Sequence, residues 1–322
     1  MCFGYDGEAA LRESLEKRGM SRRLLLRSAV ATAAGVTAVG ATASASAGAS
    51  AGAARHPGHG LKRVPKELIS IQLYTLRAAL GGEPGFDAVL RQLAVDGYQR
   101  VELAGYYGRT AAELKVFLRR TGIRASSSHD GISATPEALE TKLDNAAILG
   151  QRYVNVPYLN SDKLSDWQMW AQQMNTEAAL ARDYGLRYGY HNHAHEFTID
   201  LGGGLTPWEV LAAELDPRLV HLEADLYWVV TGGINSGAGV ADPEKFAIDT
   251  IREAPQKVRQ YHVKDKDPAS GDMVDLGTGF IDFKRIFRAH QVEEFIVEND
   301  TPDVTPLQSA EVGYDYLRTL RF

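Results

Sequence analysis

From residue 66 onward, apolar residues come in short runs, and each run is followed by a longer stretch in which they recur every three or four positions. A short run bounded by turn-forming residues reads as a buried strand, and the three-to-four spacing reads as one face of a helix. The runs span 69–75, 98–104, 123–128, 152–157, 187–193, 220–228, 258–265 and 294–300. There are eight, with starts 25 to 38 residues apart, room each time for a strand, a helix and two short loops. Over 86–96, Phe86, Val89, Leu90 and Leu93 share a helical face, and Asp96-Gly97 ends the pattern with a residue suited to a left-handed cap. Thr121-Gly122, Leu149-Gly150 and Tyr184-Gly185 predict three more helix ends of the same kind. Thr135-Pro136-Glu137 and Asp242-Pro243-Glu244 predict helix starts, and 306–316 gives the last helix. Strand–helix alternation calls for parallel strands with right-handed crossovers. Eight such units predict a single-domain (β/α)8 TIM barrel over 66–322, because a doubly wound sheet has fewer strands and a reversal in their order.

The first 65 residues lack this pattern. Arg22-Arg23 stands just before an apolar run from Ala29 to Gly40, and Ala-x-Ala sites follow at 41–43, 43–45 and 45–47. That order predicts a cleaved secretory leader over 1–47 of the twin-arginine (Tat) type, and so an extracellular or cell-envelope protein. The run is too short and too rich in Ala, Thr and Gly to predict a membrane span. Residues 48–65, rich in Gly, Ala and His, read as a flexible linker. The chain's one cysteine, Cys2, lies in the leader, which leaves metal ligation to imidazole and carboxylate. Beyond residue 47 there remain 29 basic and 37 acidic residues, a formal charge of −8 with histidine neutral. That balance argues against nucleic acid as the partner.

In a (β/α)8 barrel the reacting groups come from the C-terminal strand ends and the loops after them. Those ends carry Glu102, His129, the string His191-Asn192-His193-Ala194-His195-Glu196, Asp225, His262-Val263-Lys264 and Glu298-Asn299-Asp300. So many polar groups converging from separate strands are costly to bury without a shared partner, and a divalent cation is such a partner.

The order His191, Asp225, His262, Glu298, with Ile71-Gln72-Leu73-Tyr74-Thr75-Leu76-Arg77 at the first strand and Leu276-Gly277-Thr278-Gly279-Phe280 after the seventh, resembles the xylose-isomerase-like TIM barrels. The likeness covers about residues 68–320 and is greatest to the sugar phosphate isomerase/epimerase branch. It implies one divalent metal, Mn first and Zn, Co, Fe or Mg as alternatives, held by Asp225, His262 and Glu298 with a fourth ligand from strand 5. Family epimerases carry Glu at that fourth place, where this chain has His191. The change weakens a two-glutamate epimerase mechanism and brings the chain nearer the dehydratase-like members with His-x-His on strand 5.

Other candidates are read from position. Glu298, Glu102, His193 and Lys264 are candidates for proton transfer or for holding developing charge, and Glu102 reads equally as a residue supporting a ligand. His129, Tyr74 and Trp228 are candidates for contact with a sugar, core packing being the competing reading for the aromatics. Gly277-x-Gly279 lacks the third glycine of a nucleotide loop and reads as a tight turn. The resulting expectation is a metal-dependent sugar isomerase or epimerase that removes a proton next to a carbonyl through an enediolate. A keto-sugar dehydratase or lyase on the same metal is the alternative; an abasic-site endonuclease and a non-catalytic sugar-binding module stand behind it. The partner expected is a small sugar or keto-sugar, and the oligomeric state stays open.

Overall fold

The computed structural model describes residues 61–82, 84–236 and 240–322. The predicted leader and most of the linker lie outside the described residues. Eight parallel strands form the barrel: β1 (Ile69–Gln72), β2 (Arg100–Leu103), β3 (Arg124–Ser128), β4 (Tyr153–Val156), β5 (Arg187–His191), β6 (Val220–Asp225), β7 (Val258–Val263) and β10 (Glu294–Val297). They pair in the order β3-β2-β1-β10-β7-β6-β5-β4. The two edges then meet through a parallel bridge between His129 and Asn155, with Arg152 N donating to Ser126 O at 2.9 Å and Asp130 N to Asn155 O at 2.9 Å. A two-residue ribbon, β8 (Asp265–Lys266) with β9 (Met273–Val274), follows β7.

Helices cover the outside: α1 (Arg77–Gly81), α2 (Phe86–Asp96), α3 (Ala111–Thr121), α4 (Pro136–Leu149), α5 (Leu164–Asp183), α6 (Pro207–Glu214), α7 (Leu226–Asn235), α8 (Pro243–Glu253), α9 (Phe283–Ala289) and α10 (Pro306–Thr319). Their ends follow the expected caps. Gly97 and Gly150 close α2 and α4 in the left-handed region, with φ of 111° and 77°. The side chains of Thr135 and Asp242 accept the backbone N–H groups of Ala138 and Lys245. No helix of the described residues is long and apolar enough to cross a membrane.

Most strands stop earlier than the apolar runs suggest, and β1 and β6 do so for the same reason. Gln72 Oε1 accepts Tyr74 N at 3.0 Å, and Asp225 Oδ1 accepts Trp228 N at 2.9 Å. Each side chain caps a turn that begins at once, so Trp228 sits on α7 rather than on strand 6. At the other end, Lys62 N donates to Phe322 O at 2.6 Å, Phe322 N to Lys62 O at 3.0 Å, and Val64 is buried. Residues 62–64, read from sequence as linker, are therefore tied to the C-terminus of the barrel.

The outward strand faces pack apolar side chains such as Ile71, Val101, Val154, Tyr188, Val263 and Val297 into one core with the helices. The interior is different. Ser70, Gln72, Glu102, Ser126, Asn155, His221, Glu223, Gln260 and Glu294 are all buried. Gly189 on β5 makes room for them, since a Cβ there would lie 2.3 Å from Asn155 Oδ1 and 2.5 Å from His221 Nε2.

Candidate metal centre

Alternation along β6 and β7 sends Glu223, Asp225, Gln260 and His262 inward, and β5 and β10 bring His191 and Glu298 to the same level. One ligand atom each from His191, Asp225, His262 and Glu298 lies within 4.8 Å of the others, and all four residues are buried. His191 Nε2 is 3.3 Å from Asp225 Oδ2, and its Nδ1 is 3.1 Å from Pro157 O, which fixes the ring. His262 Nδ1 is hydrogen-bonded to Glu298. Lys264 Nζ lies 2.9 Å from Asp225 Oδ2, 2.8 Å from Glu298 Oε2 and 3.1 Å from Asp300 Oδ2. The donor set fits a divalent cation: two imidazoles and two carboxylates converge, a mixture that suits a transition metal better than calcium.

Charges decide the protonation here. Burial works to raise the Glu298 and Asp225 carboxyls, but Lys264 and the neighbouring histidines overcome it, holding Glu298 well below the usual range and Asp225 at about 2. Burial, with the charge of His262, takes His191 down to about 4, so it is a neutral donor near pH 7. Burial opposes protonation of His262 and Lys264 too, yet the carboxylates around each raise both well above their ordinary values.

Beneath this cluster lies a second set. His262 Nε2 is 2.7 Å from Glu102 Oε1 and 3.4 Å from Glu223 Oε2, and His129 Nε2 is 3.2 Å and 2.8 Å from the same two oxygens. Gln72 Nε2 donates to Glu102 at 2.8 Å and Asn155 Nδ2 to Glu223 at 2.8 Å. Strand register slips between Val101 and Glu102 and between Leu222 and Glu223, beside each carboxylate. Burial, and then the charge of Glu102, pushes Glu223 up to about 8, so the pair keeps a proton at neutral pH.

Two further candidates belong to this lower set. Glu102 is fully buried, with its carboxylate on His262 Nε2, a position that suits a residue supporting a ligand. His129 stacks on His262 at 5.1 Å, and its Nε2 is shared between Glu102 and Glu223.

His193 lies outside the ligand cluster. It packs against Tyr158, His195 and Trp228, its Nδ1 has no hydrogen-bond partner, and burial drives its pKa down to about 2. Glu196 is buried, accepting Tyr190 Oη at 2.6 Å and His193 N at 2.8 Å, and so builds the turn that aims the histidine string. Trp228 is 5.7 Å from Lys264 Nζ, whereas Tyr74 sits under the Arg77 guanidinium, 46% exposed. Gly277 and Gly279 do form a turn: their N–H groups, with those of Ile281 and Lys266, converge on the Asp265 carboxylate. Sequence reasoning assigned no role to Glu223 or Asp300. Each stands two residues from a ligand on the same strand line, and that period of two is the signal that would have found them.

A barrel closed around strand-end histidines and carboxylates invites comparison with known proteins. The xylose isomerase-like TIM barrel family matches residues 83–295. The chain belongs to that family. Among relatives of this xylose isomerase-like barrel, the inosose dehydratase of Bacillus licheniformis is 26% identical over 269 residues, 71% of this chain and 86% of that protein. A sugar phosphate isomerase/epimerase from Parabacteroides distasonis superposes with a TM-score of 0.65 at 22% identity, over 79% of this chain and 94% of that one. A protein solved with a bound zinc atom superposes with a TM-score of 0.58 at 13% identity, over 77% and 95% of the two chains. At these identities the two structures speak for the fold alone.

Proposed function

We propose that this chain is a metal-dependent dehydratase of a keto-sugar or cyclitol ketone, removing a proton beside the carbonyl and expelling a β-hydroxyl as water. The observation that carries the reading is the pairing of Lys264 with Asp300 beside the ligand cluster, with no second uncommitted carboxylate there among the described residues. Epimerisation needs a base on each face of the reacting carbon; elimination needs one base and one acid. Glu102 and Glu223 are both committed beneath His262, and strand 5 offers a histidine. The inosose dehydratase relatives support the same choice.

His191, Asp225, His262 and Glu298 would hold the metal, and the chemistry such an ion supplies is polarisation of a carbonyl, which acidifies the neighbouring C–H. Asp300 is the base: burial, with the nearby Glu298 charge, raises it to about 6, close to neutral working conditions. The C–H pair becomes the new double bond, the C–O bond to the β-hydroxyl breaks, and the proton taken by Asp300 leaves with that oxygen as water, while the Lys264 ammonium holds the charge that develops. Trp228, His193 and Tyr158 offer aromatic faces for the apolar side of a ring. The twin-arginine leader expected from the sequence would put this chemistry in the cell envelope or beyond, which favours a free rather than a phosphorylated substrate.

The test uses the mature protein and Glu298→Ala, dialysed and submitted to elemental analysis, then incubated with inososes and keto-sugars in D2O. About one equivalent of transition metal that the variant loses, with an enone absorbance appearing on turnover, is the expected result. Deuterium incorporation without water loss would return the isomerase/epimerase reading to first place. A folded, metal-free wild type would end both.

A further inference from the structure

The opposite end of the barrel carries an arginine cluster that the chemistry at the mouth does not use. Arg100, Arg124 and Arg187 open β2, β3 and β5, Arg259 is the second residue of β7, and Arg152 immediately precedes β4. Three of them converge on one carboxylate. Arg152 Nη2 is 2.6 Å from Glu293 Oε2, Arg187 Nη1 is 2.9 and 2.8 Å from its two oxygens, and Arg259 is paired with Oε1. The Tyr153 hydroxyl donates to the same group at 2.8 Å. Glu294 offsets Arg100 only in part, because its carboxyl is turned into the barrel, held by Ser126 Oγ at 2.5 Å and Gln260 Nε2 at 3.2 Å. Arg100 has a buried Nε with no hydrogen-bond partner, and Arg124 is exposed.

The excess of positive charge is felt by its neighbours. Burial is the main cause lowering Arg100, and Arg124 and Arg152 add to it against Glu294. His221, one layer further in, goes down to about 4 through burial first, with Arg259 and Arg187 contributing. In a chain with a formal charge of −6, three guanidinia converging on Glu293, with Arg100 and Arg124 beside them, are not a reflection of composition. Planar forks facing solvent, partly fixed by Glu293 and Tyr153, are the arrangement that recognises oxyanions two hydrogen bonds at a time.

The geometry points to an oxyanion site at the N-terminal face of the barrel, in which Arg152 and Arg187, with Arg100, Arg124 and Arg259, bind a small anion of two or more charges such as phosphate or pyrophosphate. Glu293 is the internal anchor that spaces the guanidinia, and the added anion neutralises what Glu293 leaves over. The competing role for these residues is a clasp that ties β4, β5, β7 and β10 together, which requires no ligand.

Calorimetric titration of the full-length protein with pyrophosphate, at ionic strength held constant with chloride, separates the two. The expected result is one saturable site, weakened about tenfold or more in Arg124→Gln/Arg152→Gln, because each lost charge-assisted bond is a strong one. Glu293→Gln removes the competing carboxylate and is expected to tighten binding, an effect a clasp alone does not produce. Glu298→Ala, at the other end, keeps wild-type affinity; loss of binding there would assign the anion to the mouth and overturn the proposal. Absence of saturable heat, or equal affinity in the wild type and a folded double arginine variant, overturns it as well. Should Glu293→Gln fail to fold, the arginine pair decides alone.

Discussion

The two faces of the barrel strands do opposite work. The outward face, with Ile71, Val101, Val154, Val263 and Val297, is removed from water against helices that present Leu90, Leu93, Leu114 and Leu317. Each side chain there contributes through apolar burial, about 25 cal/mol per Å². The inward face carries Gln72, Glu102, Asn155, His221, Glu223 and Gln260 in full burial, where every polar group costs free energy until it finds a partner. Even so, Asn155 Oδ1 remains without one. Stability therefore resides in the shell, while the interior gives up stability to hold His262 and its neighbours in a fixed arrangement. The two sets differ by a single step along each strand.

That contrast breaks most sharply at its two extremes. Glu298→Ala removes a carboxylate that touches both His262 and Lys264, and its effect on activity and retained metal should exceed the roughly 10–100-fold loss typical of residues that merely support a ligand. Leu90→Ala, fully buried in the shell, should cost about 2–5 kcal/mol in urea unfolding while leaving kcat/KM of the folded enzyme unchanged. If Leu90→Ala cut turnover at a temperature where the protein is folded, the division between shell and interior would be wrong.

Glu102→Gln tests the interior at one remove from the ligands. The variant keeps a hydrogen-bond acceptor for His262 Nε2 but loses the charge behind the ring. Metal affinity should fall about 10–100-fold, with little change in Tm, and metal titration followed by calorimetry reads both. A collapse of Tm with affinity intact would make Glu102 a structural residue only.

The sequence carries the shell and the strand ends far better than it carries depth. Eight apolar runs and the glycine stops after Asp96, Thr121 and Leu149 were legible because burial and left-handed caps leave local patterns. Strand limits at Gln72 and Asp225 were not, since they are set by side chains capping the turn that follows. His191, Asp225, His262 and Glu298 come together as their strand-end positions suggest. Glu102 and Glu223 stand at register slips between neighbouring strands, which no single strand encodes.

The smallest effect is expected where the polar interior opens to solvent at the arginine end. Burial tends to raise the Glu293 carboxyl, but the Tyr153 hydroxyl, Arg152, Arg187 and Arg259 bring it from 4.5 to about 2. A carboxylate depressed on folding stabilises the native state fully above its unfolded pKa, and loses that contribution as pH falls toward the folded value. The stability gap between wild type and Glu293→Gln should therefore be widest above about pH 4.5 and close progressively toward about pH 2. The side chain is one-third exposed, so water screens the pairs, and the gap should stay near the roughly 0.2–1 kcal/mol measured for solvent-exposed ion pairs. Urea midpoints of the two proteins between about pH 6 and about pH 3 provide the check, the linkage slope giving the sign. A gap that persists unchanged into acid would mean that Glu293 acts through packing and hydrogen bonding, and the arginine cluster would then have to balance its charge with solvent ions alone.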